Sequence, residues 1–173
     1  LPAVFMGAMG LVDDLRGLQP MPRLIFQTLV AVVVSIVLIQ TKTIGTPLDN
    51  TLLVQIIVVL WIVGLCNSIN FFDNLDGGAA GTVAVSTLGI TLIAFAQGQE
   101  LIAALSVVTA GATIGFLLWN KSPAKIYMGD AGALFLGIIV SVLTIRLNPG
   151  INPLWNSIAL LPMLLAVPIL DTC

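Results

Sequence analysis

Fourteen charged residues punctuate this 173-residue sequence, and the gaps between them decide what it can fold into. Residues 24–41, 50–72, 77–99, 101–120 and 147–170 contain no Asp, Glu, Lys or Arg, and 131–145 form a shorter run of the same kind. A helix needs about 20 apolar residues, with a range of about 17–25, to cross the hydrocarbon core of a bilayer. Five runs meet that length directly. The sixth meets it once extended past Arg146, whose long side chain can reach the interface. Leu1–Val12 reads as the end of a further span. The expected architecture is therefore all-α: a polytopic transmembrane helix bundle with one partial span and about six full ones. The full spans are expected near 24–41, 52–66, 79–96, 101–119, 131–147 and 154–171, the last kinked at Pro162 and Pro168. Residues 1–173 are expected to form one integral-membrane domain, truncated at both ends.

Composition closes off other classes. Only 8% of residues are charged, against about 25% in a soluble domain, which excludes a water-soluble enzyme and a disordered tail. The net charge of −2 leaves no basic footprint for nucleic acid. The absence of His removes imidazole catalysis and His-ligated zinc from these residues. Cys66 and Cys173 make no disulfide framework. The apolar start lacks the basic region of a signal peptide.

Alternation of spans sorts the loops onto two sides. One side takes 13–23, 67–78, 120–130 and the end near Asp171; the other takes 42–51, 97–100 and 148–153. Arg16, Arg23, Lys121 and Lys125 fall on the first side, Lys42 and Arg146 on the second. Four basic residues against two favour the first side as cytoplasmic. Six of the eight acidic residues lie there as well, leaving only Asp49 and Glu100 opposite.

Three polar clusters occupy that face. In the first, Asp13 and Asp14 are adjacent, followed by Arg16, Gly17, Arg23 and Gln27. Two neighbouring carboxylates beside a membrane call for a nearby cation or proton, although a solvated helix cap explains the pair equally well. In the second, polar residues recur every third position: Asn67, Asn70, Asp73 and Asp76, ahead of Gly77 and Gly78. Such a stripe drifts about half a turn over nine residues, so its two ends converge only if the helix breaks at the glycines. Capping alone needs fewer polar groups. In the third, Asn120, Lys121, Lys125, Tyr127 and Asp130 lie in a segment with Gly129 and Gly132. A helix starting near Ala131 would aim its amides here, a natural anion site; the plainer reading is a basic loop with a Gly-Asp turn. Together, carboxylates and amides are hard donors suited to Mg²⁺, which needs one or two carboxylates plus water and phosphate oxygens. The basic residues suit phosphate. The combination points to a metal-dependent site for a diphosphate, at the span ends rather than at the bilayer centre.

These residues resemble the polyprenyl-phosphate N-acetylhexosamine-1-phosphate transferases, which include the muramoyl-pentapeptide transferases and the GlcNAc-1-phosphate transferases. The resemblance rests on three ordered motifs spread over the chain. They are Asp13-Asp14 with Gly17-Leu18, Arg23 and Gln27; Asn67-x-x-Asn70-x-x-Asp73-x-x-Asp76-Gly77; and Asn120-x-x-Pro123-Ala124-x-x-Tyr127-Met128-Gly129-Asp130-Ala131-Gly132. Arg23 stands where many members have Lys, and Asn74 and Gly78 replace a Gly and a Leu common in the muramoyl branch. Ala131–Phe135 looks closer to the GlcNAc branch. Further spans before Leu1 and a His-rich cytoplasmic loop after Cys173 are implied.

The resemblance implies a catalytic membrane domain that moves N-acetylhexosamine-1-phosphate from a UDP-sugar to a polyprenyl phosphate of the undecaprenyl type, releasing UMP. That reaction is a first membrane step of a cell-wall or surface glycan. It implies Mg²⁺, or Mn²⁺ in its place, at Asp130. Asp13 would deprotonate or position the lipid phosphate with Asp14 beside it, and Asp73 and Asp76 would hold the diphosphate side. Asn120 and Tyr127 would contact uridine, Arg23 would pair with phosphate, and Asn67, Asn70 and Lys125 would complete substrate binding. Partners are then the UDP-sugar, the lipid phosphate and the membrane, with no nucleic acid; a homodimer is left open. Two other readings compete: a transporter or ion pathway using the same carboxylates, and a structural subunit packed through Gly111-x-x-x-Gly115. Asp171 and Cys66 read as a cap and a buried small residue.

Overall fold

A computed structural model describes residues 1–41 and 50–150. The expected span at 154–171, and with it Asp171, lies outside them, as do Lys42 and Asp49. The described chain forms six helices: α1 (Pro2–Arg16), α2 (Pro20–Gln40), α3 (Thr51–Phe72), α4 (Gly78–Ala96), α5 (Glu100–Asn120) and α6 (Gly129–Arg146). Helices α2 to α6 are each long and apolar enough to cross a membrane. This is the expected all-α, multi-pass bundle.

Local chemistry sets the helix ends. Pro20 opens α2 from the first turn, where its missing N–H costs nothing. The Asn50 side chain accepts from the Leu52 and Leu53 amides at 3.0 and 3.2 Å and so caps α3. Helix α3 runs six residues beyond the expected end at Cys66. Asn67 and Asn70, which read as the end of the span, sit inside the helix because each finds a partner on another helix. The chain then breaks between Phe72 and Gly78, yet the two ends of the stripe take different partners, Asn67 the Gln27 side chain and Asp76 the Ala124 amide.

Helix α6 is central. It packs along α1 and α3, while α2 packs on α3 and α4 pairs with α5 as a hairpin. One core joins Met6 of α1, Val34 of α2, Ile62 of α3 and Leu134 of α6; another joins α4, α5 and α6 through Ile90, Ile102 and Leu143. Outward-facing positions are strongly apolar, with Phe95, Leu92 and Val108 exposed. Inward positions include hydroxyls at zero exposure, such as Thr87, Ser141 and Thr144. They return their protons to helix carbonyls three or four residues earlier, as polar groups must where water is absent. The Trp61 indole donates to Thr144 Oγ1 at 3.0 Å and ties α3 to α6. At one end of the bundle, Gln99 and Asn148 exchange two hydrogen bonds, Nε2 to the Asn148 carbonyl at 2.6 Å and the Asn148 amide to Oε1 at 3.1 Å. The three polar clusters meet at the opposite end.

Candidate active site

Consecutive helical residues diverge by about 100°, and this separates the adjacent carboxylates. Asp13 turns inward and is 8% exposed, whereas Asp14 stays at the surface. Asp13 Oδ1 accepts the Leu18 amide at 2.7 Å, which closes the turn after α1. Its other oxygen meets Arg23 Nη1 at 3.0 Å, and the same nitrogen reaches Asp130 Oδ2 at 2.7 Å. Arg23 Nη2 donates to Asn70 Oδ1 at 3.3 Å, and Asn70 Nδ2 donates to Asp130 Oδ1 at 2.5 Å. One guanidinium therefore joins residues from α1, α3 and α6. All three clusters contribute to this centre.

The other three carboxylates of the clusters, Asp14, Asp73 and Asp76, hold backbone. Asp14 Oδ1 and Oδ2 accept the amides of Asp130 and Ala131 at 2.9 and 3.0 Å. Asp73 Oδ2 accepts the Gly129 amide at 3.1 Å. The first amides of α6 are thus satisfied by carboxylates of the protein itself. This corrects the expectation of a free anion site there: the helix begins at Gly129, two residues early, with its donors occupied. Asp76 Oδ2 accepts the Ala124 amide at 3.0 Å. Asn120 accepts from the Gly77 amide at 3.1 Å and donates to the Ile126 carbonyl at 2.9 Å. Together, Asp76 and Asn120 pin the 121–128 loop against the start of α4.

Two glycines permit this assembly. A Cβ on Gly10 would run into the Asp130 carbonyl group and Ala131 Cα, so α1 approaches α6 as closely as it does only with Gly there. Gly129 has φ +65° and lies directly beneath the Asp14 carboxylate, a conformation that costs other residues about 1–2 kcal/mol.

Asp73 lies beyond the end of α3. Its carboxyl is pushed up to about 6, chiefly by burial and also by the charges of Asp130 and Asp14, with the Gly129 amide acting in the opposite direction. An excess of negative charge gathers here, which a divalent cation would relieve. Among the described residues, no group of three or more His, Cys, Asp or Glu side chains could by itself hold a metal ion. The donors fit the smaller Mg²⁺ requirement of one or two carboxylates completed by water and phosphate oxygens. Asp130 accepts from Asn70 and from Arg23, each of its oxygens has two lone pairs, and the Asp13 carboxyl lies within hydrogen-bond reach of it.

Beside this centre opens a cleft of about 500 Å³, lined by Arg23, Asn67, Asn70, Asp130, Ser68, Phe71 and Asn74. Asn67 does not reach Arg23. Its Nδ2 donates to Gln27 Oε1 at 2.7 Å and to the Val63 carbonyl at 2.8 Å. Gln27 is fully buried, and its Nε2 has no hydrogen-bond partner among the described residues. Gln27 is a residue that sequence reasoning left out of the site. The signal available was its four-residue spacing from Arg23, which places both on one face of α2. Lys125 and Tyr127 also stand apart from the centre. The Lys125 ammonium lies 5.4 Å from the Trp119 ring centroid, and the Tyr127 ring is 77% exposed.

The family model for glycosyl transferase family 4 matches residues 1–148. The chain belongs to glycosyl transferase family 4. Curated members similar to it include a probable undecaprenyl-phosphate N-acetylglucosaminyl 1-phosphate transferase of Bacillus subtilis (strain 168), 45% identical over 116 residues. A phospho-N-acetylmuramoyl-pentapeptide-transferase of Streptococcus thermophilus (strain CNRZ 1066) is 30% identical over 156 residues. The matched stretches cover 67% and 82% of this chain, but only 32% and 46% of those relatives. This chain thus spans less than half the length of the family 4 relatives it matches. The Arg23 centre and the collar of carboxylates around α6 both fall inside the family 4 match.

Proposed function

We propose that this chain is the core of an enzyme that transfers N-acetylhexosamine-1-phosphate from a UDP-sugar to an undecaprenyl-type phosphate at the cytoplasmic face of the membrane. The observation that carries the reading is the convergence of Asp13, Arg23, Asn70 and Asp130 at the end of apolar helices. It is supported by family membership and by the names of the relatives. In the reaction, an oxygen of the lipid phosphate bonds to the β-phosphorus of the UDP-sugar. The bond from that phosphorus to the bridging oxygen breaks, and UMP leaves with the electron pair.

Asp130, with Asp13 nearby, would hold Mg²⁺, which when bound supplies positive charge to the diphosphate oxygens. Arg23 supplies a cation for phosphate, and Asn70 orients both Arg23 and Asp130. Asp13, buried and already accepting two donors, keeps that guanidinium aligned until the cation binds. Asp14 and Asp73 set the start of α6, hence the position of Asp130. Asn67 and Gln27 form a polar wall at the cleft, and Tyr127, with Lys125 on the same loop, offers a face for uracil. Most of the catalysis is positioning and charge neutralisation, as expected for phosphoryl transfer.

In the full-length protein, Asp130→Asn is expected to abolish Mg²⁺-dependent UMP release, with a fall of at least about 100-fold. Full activity in that variant would end the assignment. The alternative of a transporter or ion pathway is less well served. The charged residues of α2 to α6 are Arg23, Glu100, Asp130 and Arg146, all within a turn of a helix end, and a midplane pathway would place such groups deeper.

A further inference from the structure

Arg23 occupies the position where a divalent cation would be needed. Its Nη1 lies 3.0 Å from Asp13 and 2.7 Å from Asp130, and these are the two carboxylates nearest to a shared centre. No other basic residue makes an ion pair with them among the described residues. A second cation entering between them would face a like charge at contact distance, where repulsion inside a partly dry protein is several-fold stronger than in water. Only one of the two cations can hold both carboxylates. Arg23 is the one free to leave. It sits in the first turn of α2, its side chain is 26% exposed, and it lines the open cleft of about 500 Å³ beside Asn67, Asn70 and Asn74.

We propose that Arg23 is an exchangeable counter-ion. With no divalent cation bound, it holds Asp13 and Asp130 in place; when one binds there, Arg23 gives up the carboxylates and turns into the cleft. The geometry of the site is then kept in both states, and metal binding is what frees the guanidinium. This inference rests on the proposed function in one respect, that a divalent cation binds at Asp130.

The sign of one measurement separates this from a merely structural ion pair. Mn²⁺ is titrated into the full-length protein in detergent and free Mn²⁺ is read by electron paramagnetic resonance, with Asp130→Asn defining the fraction bound at this site. Competition predicts that Arg23→Gln binds Mn²⁺ about 5- to 150-fold more tightly, the range of an ordinary coupling between two sites. Arg23→Lys, which keeps the charge, stays close to the wild type. If Arg23 simply supports the site, Arg23→Gln binds equally or more weakly, and the proposal is overturned while the cation reading stands. If neither wild type nor Arg23→Gln shows Asp130-dependent binding, both fall.

Should Arg23→Gln fail to fold, the wild type provides its own test. Peptide mapping after treatment with phenylglyoxal, which modifies free arginines, is expected to show faster labelling of Arg23 when Mg²⁺ is present. Unchanged or slower labelling overturns the proposal.

Discussion

Two regions of the same membrane face use the same residue type in opposite ways. In the Arg23 centre, Asp130 meets only side chains, Arg23 and Asn70, while Asp13 gives one oxygen to Arg23 and the other to the Leu18 amide. In the collar around the start of α6, Asp14, Asp73 and Asp76 meet backbone amides. Backbone donors are fixed by the fold, so a carboxylate bound to them is committed to holding the chain in place. Side-chain donors can exchange for a ligand. The contrast assigns chemistry to the centre and positioning to the collar, and it makes the two sets separable by experiment: centre variants should lose turnover before stability, and collar variants should lose stability first.

The largest effect is expected at the centre. Asp13→Asn keeps the size and the acceptor for the Leu18 amide but removes the charge facing Arg23. Turnover should fall by about 100-fold or more, as when one group of a preorganised charge array is lost. Thermal stability in detergent should fall less than turnover, because the one remaining oxygen still accepts the Leu18 amide and Arg23 keeps Asp130 and Asn70. A large fall in melting temperature with turnover retained would reverse the contrast.

Gly10 connects the two regions, since α1 carries Asp13 and Asp14 past the start of α6. Gly10→Ala sets a methyl group against the backbone of Asp130 and Ala131, and relief of that overlap requires the helices to part. A cost of about 1–3 kcal/mol is expected, together with lower turnover because Asp13 and Asp130 move apart. Stability and turnover both unchanged would mean that the helices separate freely, and that their close approach does not set the geometry of the centre.

The fold was largely legible because charge is so scarce that each charged residue marks a boundary. All five predicted spans that fall within the described residues are helices. The errors fall where polar residues found partners across helices. Asn67 and Asn70 extend α3 beyond Cys66 because Gln27, Arg23 and Asp130 receive them. Helix α6 begins early because Asp14 and Asp73 cap it from outside. The gathering of the three clusters on one face followed from span counting. Which carboxylate meets a side chain and which meets an amide did not, because that depends on rotations and distances between segments up to 117 residues apart in the chain.

The finest test of the contrast lies within the collar. Asp14 accepts two successive amides at the start of a membrane-spanning helix, whereas Asp76 accepts one amide of an exposed loop. Capping carboxylates of this kind are worth about 0.5–2 kcal/mol, and solvent screening takes the exposed loop contact to the low end of that range. Asp14→Ala should therefore destabilise by about 1–2 kcal/mol. Asp14→Asn should recover part of that loss, because one oxygen remains to accept an amide. Asp76→Asn should cost under about 1 kcal/mol. Unfolding by denaturant in mixed micelles, with all three variants compared at one pH, gives the order. If Asp76→Asn costs more than Asp14→Ala, the loop rather than the α6 start is what the collar holds. The position of Asp130 would then have to be explained from the Arg23 side alone.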